Sequence, residues 1–297
     1  MSLQELSGIR PPINELLTRD AAMRRAVADH AFDIETAAAL APGRKASITR
    51  LCAPGAGVLL EVAATDEGRR QIRNEVAGRA WAVSVGVRTP AVLGHDPLGA
   101  WMMGEYAVPA VLDIAYVEAV LEQAERIGRA AVPPPTSEDT RSWRSSRSRR
   151  VTRAALVAAG GLSVSLFLRS RRAYHALAFD VPVHGDFYDL NVPRAADGRP
   201  TVVDWEYMAR GPRFSDALRM WSCLPEPHLR HHLLDHLLGQ CGTAQARAQV
   251  GVVARWMVVR QIGENLSSLR HRSAENIAHA RSLLPEALDL AARVGVQ

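Results

Sequence analysis

Lysine is almost missing from these 297 residues. Of 36 Lys and Arg, only Lys45 is a lysine, and the formal net charge is +5. Arginine and alanine in such excess reflect base composition, so the scarcity carries no functional meaning by itself. It acquires one where the chemistry of a site calls for a lysine. Aromatics are sparse at 5%, and the basic residues are spread out except in RSWRSSRSRRVTR, residues 141–153. That run reads as a solvated loop or helix start, with RNA binding as the lesser alternative, so nucleic acid is not the expected partner.

Cysteine is scarce too. Cys52, Cys223 and Cys241 show no metal-type spacing and are too few for a disulfide framework, which points to a reducing compartment. No basic segment followed by an apolar stretch opens the sequence, and a cytoplasmic location is expected. The most apolar run, residues 154–168, is shorter than the roughly 20 residues a membrane span needs. Glycines and serines interrupt it, so it reads as a buried helix and no membrane partner is expected. No repeat of 20–50 residues is evident.

What is present is a large apolar fraction, 47%, enough for one large domain or two lobes. KASITRL alternates, and GVLLEVA is a short apolar run, giving two strands. TDEGRRQIRNEVAGRAWAVSVG reads as a helix capped at Thr65 or Asp66, with Ile72, Val76, Ala80 and Val83 as its apolar stripe. TPAVLGHD and GAWMMGEY form two more strands about the DPLG turn. Beyond Pro109 the pattern turns helical, broken by the Pro-rich VPPPTSEDT at 132–140. Everything from Asp216 onward reads as helix. The prediction is a two-lobed α+β chain, with a small sheet and one helix over 1–106 and a mainly helical part over 107–297.

The segment VPVHGDFYDLNVPRAADGRPTVVDWEYMARG, residues 181–211, holds the chemistry-bearing groups. Asp186 follows His184 and Gly185, Asn191 comes five residues later, and Asp204 lies thirteen beyond Asn191. Between the last two, a turn at ADGRP predicts a hairpin that returns Asp204 to Asn191. Phosphoryl transfer needs a carboxylate to orient and deprotonate the attacking hydroxyl. It also needs hard oxygen ligands for Mg²⁺ on the nucleotide phosphates. One carboxylate, a carboxamide and a second carboxylate at such intervals fit that need.

With HGD…N, VVDWE and the downstream GPRFSDALRMW, the chain resembles the aminoglycoside phosphotransferase and choline kinase-like family, which shares the protein kinase fold. The resemblance runs from about residue 35 to 270 and is most specific at 184–218. It implies an ATP- and Mg²⁺-dependent transfer of the γ-phosphoryl group to a small-molecule hydroxyl: a sugar, an amino alcohol or an antibiotic, the last with a resistance role. By the same resemblance Asp186 is the catalytic base, and Asn191 and Asp204 bind Mg²⁺. The backbone of Glu105, Tyr106 and Ala107 meets the adenine, His184 supports the loop, and Asp216 holds it.

One departure stands out. Relatives carry a lysine on the third strand paired with a helix glutamate, here Glu75. This strand, VLLEVA, has Glu61 instead and no lysine at any register. Either Glu61 points to solvent, or it faces Glu75 with an arginine such as Arg50 between them. Lys45, within APGRKAS where the nucleotide-covering loop is expected and at the start of the strand that follows, is one candidate for the phosphates, with Arg44 and Arg50 as rivals. The alternative is a pseudokinase that binds nucleotide or serves as a scaffold. His228, His232 and His236 recur every four residues, but no HExxH or cysteine accompanies them, and a helix face is expected rather than zinc. The final hundred residues carry more arginines than acids, which favours a neutral or anionic acceptor at least as much as an aminoglycoside.

Overall fold

A computed structural model describes residues 13–40, 47–53, 55, 57–132, 155, 158, 162–267 and 274–296. The 132–140 linker, the basic run at 141–153 and most of the 154–161 apolar stretch therefore lie outside the described residues. So do Arg44 and Lys45. The chain divides into two compact units, residues 1–110 with 190–207, and residues 111–189 with 208–297.

The first unit is built on a five-stranded antiparallel sheet. Its strands are β1 (Ala38–Ala39), β2 (Ile48–Ala53), β3 (Val58–Ala63), β4 (Val92–His95) and β5 (Trp101–Glu105), in the order β1-β2-β3-β5-β4. Leu51, Leu60, Trp101 and Met103 are buried on one side against Met23 and Ala26 of helix α1 (Ala21–Asp29). Nothing in the sequence reading anticipated α1. Asp20 caps it by accepting from the Ala22 and Met23 amides, and its other oxygen accepts the Trp101 indole N–H at 2.7 Å. One carboxylate thus starts the helix and ties it to the sheet.

Helix α2 (Asp66–Ser84) follows β3 and is capped by the Thr65 hydroxyl, which accepts the Gly68 amide. Its inward face differs from the apolar stripe expected from sequence. Ile72 is buried, but Ala80 is exposed and Val83 is 66% exposed, whereas Gln71, Glu75 and Arg79 are buried. Arg79 Nε donates to Glu75 Oε1 at 2.7 Å, one turn away, so the helix buries an internal ion pair. A period of 3.6 finds the face but misplaces its centre when the buried residues are charged.

The second unit is mainly helical: α3 (Ile114–Arg129), α4 (Val164–His175), α5 (Ser215–Trp221), α6 (Pro227–Gly239), α7 (Ala244–Ser267) and α8 (Ala274–Arg293). A two-stranded ribbon of β6 (Val181–Val183) and β7 (Ala209–Gly211) accompanies them. Val250, Val253 and Val258 of α7 and Leu283, Ala287 and Leu290 of α8 are buried. The approach of α7 to α8 is close enough that a Cβ on Gly251 would stand 2.5 Å from Val294 Cγ2 and 3.0 Å from Ala291 Cα. No helix among the described residues is long and apolar enough to cross a membrane.

Candidate active site

Glu61 does not point to solvent. It is 5% exposed and lies directly across the β2–β3 ladder from Arg50, whose Nε donates to Glu61 Oε1 at 2.5 Å. At Glu61, where the sequence resemblance led to the expectation of a lysine, the strand therefore holds an acid that orients an arginine from the adjacent strand. Glu61 is the chief cause that lifts the Arg50 pKa above its ordinary value; Asp204 and Glu75 act the same way. The Arg50 side chain remains 33% exposed.

Glu75, on the second element of this cluster, is also an acceptor for backbone. Beyond Arg79 it takes the Asp204 amide at 3.2 Å and the Trp205 amide. Those two bonds pin a turn in which Asp204 has φ +65°, a left-handed conformation that a non-glycine residue adopts at a cost. Trp205 anchors the same turn. It is fully buried, meets Trp81 edge-on at 5.9 Å and donates its indole N–H to the Val202 carbonyl at 3.1 Å. Burial, then the charges of Glu75 and Glu206, push the Asp204 carboxyl up to about 8, against the opposing influence of Arg50.

The hairpin expected between Asn191 and Asp204 is present. The Val203 amide donates to the Asn191 carbonyl at 3.0 Å and Thr201 to Pro193 at 2.8 Å, and Arg194 bridges Pro200. Gly198, at φ +79°, makes the tip turn possible. Asn191 is 5% exposed. Val203 precedes Asp204, so the ladder brings the carboxamide residue next to the carboxylate residue. One carboxylate and one amide oxygen suit Mg²⁺, which is held by one or two carboxylates together with substrate phosphates. Among the described residues no group of three or more His, Cys, Asp or Glu forms a ready metal cage. His232 instead faces Glu118 at 3.3 Å, and His236 meets Gln240 at 2.8 Å.

At 105–107 the backbone is partly engaged. The Glu105 amide donates to Ala91 and the Tyr106 amide to Gly57, while the Glu105 carboxylate accepts the Ala91 amide. The Ala107 N–H has no hydrogen-bond partner among the described residues.

In the second unit, Asp216 sits in the first turn of α5 and accepts the His184 amide at 2.7 Å and the Gly185 amide at 3.1 Å. Gly185 has φ +86°, so the loop can turn under those bonds. Burial raises the Asp216 pKa, and the two amides and His184 oppose the rise. His184 is fully buried and stands edge-on to the equally buried Phe187 at 5.8 Å. Asp186, between those two, keeps a side chain 27% exposed.

Sequence reasoning missed the partner of Asp186. Arg219 Nη2 donates to Asp186 Oδ1 at 3.2 Å, and its guanidinium lies over the Tyr188 ring at 5.4 Å. The available signal was spacing: Arg219 is three residues after Asp216 on α5 and so shares its face. Arg79, four residues after Glu75, was equally available and equally unused.

No model of a known protein family matches the sequence, and no curated protein does. Solved structures do match in fold. The chain is similar to a choline/ethanolamine kinase family protein from Mesorhizobium loti, at 16% identity and a TM-score of 0.56, over 91% of this chain and 94% of that one. It is similar to an aminoglycoside phosphotransferase in complex with GDP and kanamycin, at 14% and 0.57, over 92% and 99%. A Plasmodium vivax ethanolamine kinase matches at 10% and 0.54, over 92% of each chain. The chain has the α+β, protein kinase-like fold that these small-molecule kinases share.

Proposed function

We propose that the protein is a Mg²⁺-dependent phosphotransferase that moves the γ-phosphoryl group of ATP to a hydroxyl of a small molecule. The observation that carries this reading is the turn at Asp204. A buried ion pair, Glu75–Arg79, holds an aspartate in left-handed backbone with its carboxyl pushed up to about 8. Folding alone gains nothing from a strained, crowded carboxylate, and such features gather at functional sites. A divalent cation bound there would neutralise charge on the nucleotide phosphates.

Asp186 takes the acceptor hydroxyl's proton, and its carboxylate is oriented by Arg219. Asp216 fixes the loop that carries Asp186 through the His184 and Gly185 amides. Asp204 and Asn191 hold the cation. Arg50, aimed by Glu61, is the phosphate-facing cation in place of the strand lysine, and the Ala107 N–H receives the adenine. Lys45 remains a second candidate for the phosphates. Arg219 beside the base also bears on the acceptor. A guanidinium at the point of attack disfavours a cationic acceptor and suits a neutral or anionic one.

The test is titration with Mg-ATP and Mg-GTP, followed by a phosphate-transfer screen over sugars, amino alcohols, hydroxy acids and aminoglycosides. Asp186→Asn should lower kcat about a hundredfold or more with nucleotide affinity nearly intact, while Asp204→Ala should damage Mg-nucleotide binding. Glu61 in the lysine position favours one rival, a nucleotide-binding protein without transfer. Nucleotide binding with no turnover on any acceptor would establish that rival. Full activity in Asp186→Asn would remove Asp186 as the base.

A further inference from the structure

Arg255 lies on α7 and is 5% exposed, yet among the described residues its Nε and Nη2 have no hydrogen-bond partner. Those two N–H groups form one edge of the guanidinium, the edge that grips both oxygens of a carboxylate or two oxygens of a phosphate. A buried cation is costly unless it is paired. The charge that acts on it has the same sign: Arg169 of α4, which with burial lowers the Arg255 pKa. Among the described residues no carboxylate forms an ion pair with either arginine.

A second polar group at the same helix pair is also without a partner. Ser170 of α4 is fully buried, and its hydroxyl makes no hydrogen bond among the described residues. Ser170 follows Arg169 and shares a face of α4 with Phe167 and Tyr174, three residues before and four after it. The rings of those two residues meet Trp256 at 5.9 and 5.6 Å, and Trp256 is the chain neighbour of Arg255. The packed helices α4 and α7 thus carry an open guanidinium edge, an open hydroxyl and a second arginine, and among the described residues no carboxylate pairs with either arginine.

We propose that the α4–α7 junction is a binding site for a small oxyanion, the carboxylate or phosphate group of a ligand. The Arg255 edge is the bidentate anchor, the Ser170 hydroxyl a further donor, and Arg169 the outer charge. The site stands independently of the proposed transfer reaction, because none of these residues belongs to that machinery.

The experiment is thermal denaturation of the full chain in chloride, with sodium phosphate or sodium acetate replacing chloride at matched ionic strength. Wild type should melt several degrees higher in at least one of the two anions, and the stronger of them identifies the group recognised. Arg255→Met should melt higher than wild type in chloride, because an unpaired buried charge is gone, and should lose the anion-dependent rise. Arg255→Lys, which keeps the charge without the edge, should weaken the anion about tenfold or more. Arg169→Gln and Ser170→Ala should keep a reduced rise. An undiminished rise in Arg255→Met would place the anion elsewhere and overturn the proposal. No rise in wild type with either anion would do the same, as would Arg255→Met melting well below wild type in chloride.

Discussion

At the scale of single residues, the missing strand lysine becomes a question about Arg50 and Glu61. A buried acid with an arginine directly opposite is an ion pair whose halves depend on each other. Removing Arg50 alone leaves Glu61 buried and uncompensated. Fully buried pairs lose about 3–5 kcal/mol in that case, and a partly exposed guanidinium should bring the loss to about 2–3 kcal/mol. Arg50→Met is therefore expected to destabilise by that amount in urea, and Arg50→Met with Glu61→Met to recover most of it. Both variants should bind nucleotide at least about tenfold more weakly if Arg50 meets the phosphates. A double variant of wild-type nucleotide affinity would return attention to Lys45.

At the scale of elements, α2 does more than cover the sheet. Its buried Glu75 reaches across 129 and 130 positions of sequence to the amides of Asp204 and Trp205, so the helix's seating fixes the turn. That seating depends on Gly68. A Cβ there would stand 2.0 Å from the Ser47 carbonyl oxygen and 3.3 Å from Ala63 Cα, and backbone cannot swing aside as a side chain can. Gly68→Ala should cost about 1–3 kcal/mol as overpacking, despite alanine's better helix propensity. The urea midpoint measures it, and an unchanged or raised midpoint would contradict the packing described for α2. Lower nucleotide affinity should accompany the loss, because a displaced α2 drags Glu75 away from Asp204.

At the scale of the whole molecule, the net charge of +5 and the Arg219–Asp186 pair argue in one direction. A polycationic aminoglycoside meets an overall repulsive field and a guanidinium beside Asp186, the proposed base. Production of the protein in a susceptible bacterial host is expected to leave the kanamycin inhibitory concentration unchanged. In the acceptor screen, neutral or anionic hydroxyl compounds should give kcat/KM at least about tenfold above any aminoglycoside. A several-fold rise in the inhibitory concentration would reverse that ordering of acceptors.

The sequence by itself determined the succession of strands and helices from β2 to α3, the hairpin from Asn191 to Asp204 and the intervals among Asp186, Asn191 and Asp204. Each of these follows from neighbours within one turn or one hairpin: apolar period, a capping Thr65, a glycine at a tip. It also showed that VLLEVA has no lysine. It did not show what Glu61 does there, because that depends on Arg50, eleven residues away and opposite only once the ladder forms. Only the tertiary structure decided that the inward face of α2 is an ion pair, that Arg219 meets Asp186, and that Arg255 is buried with an open edge. Helix α1 likewise owes its place to Asp20 reaching Trp101, 81 residues on. Charged side chains have no preferred interior in a one-dimensional pattern. Whether burying one is tolerable depends on partners that folding brings from distant segments, and those partners cannot be read from periodicity.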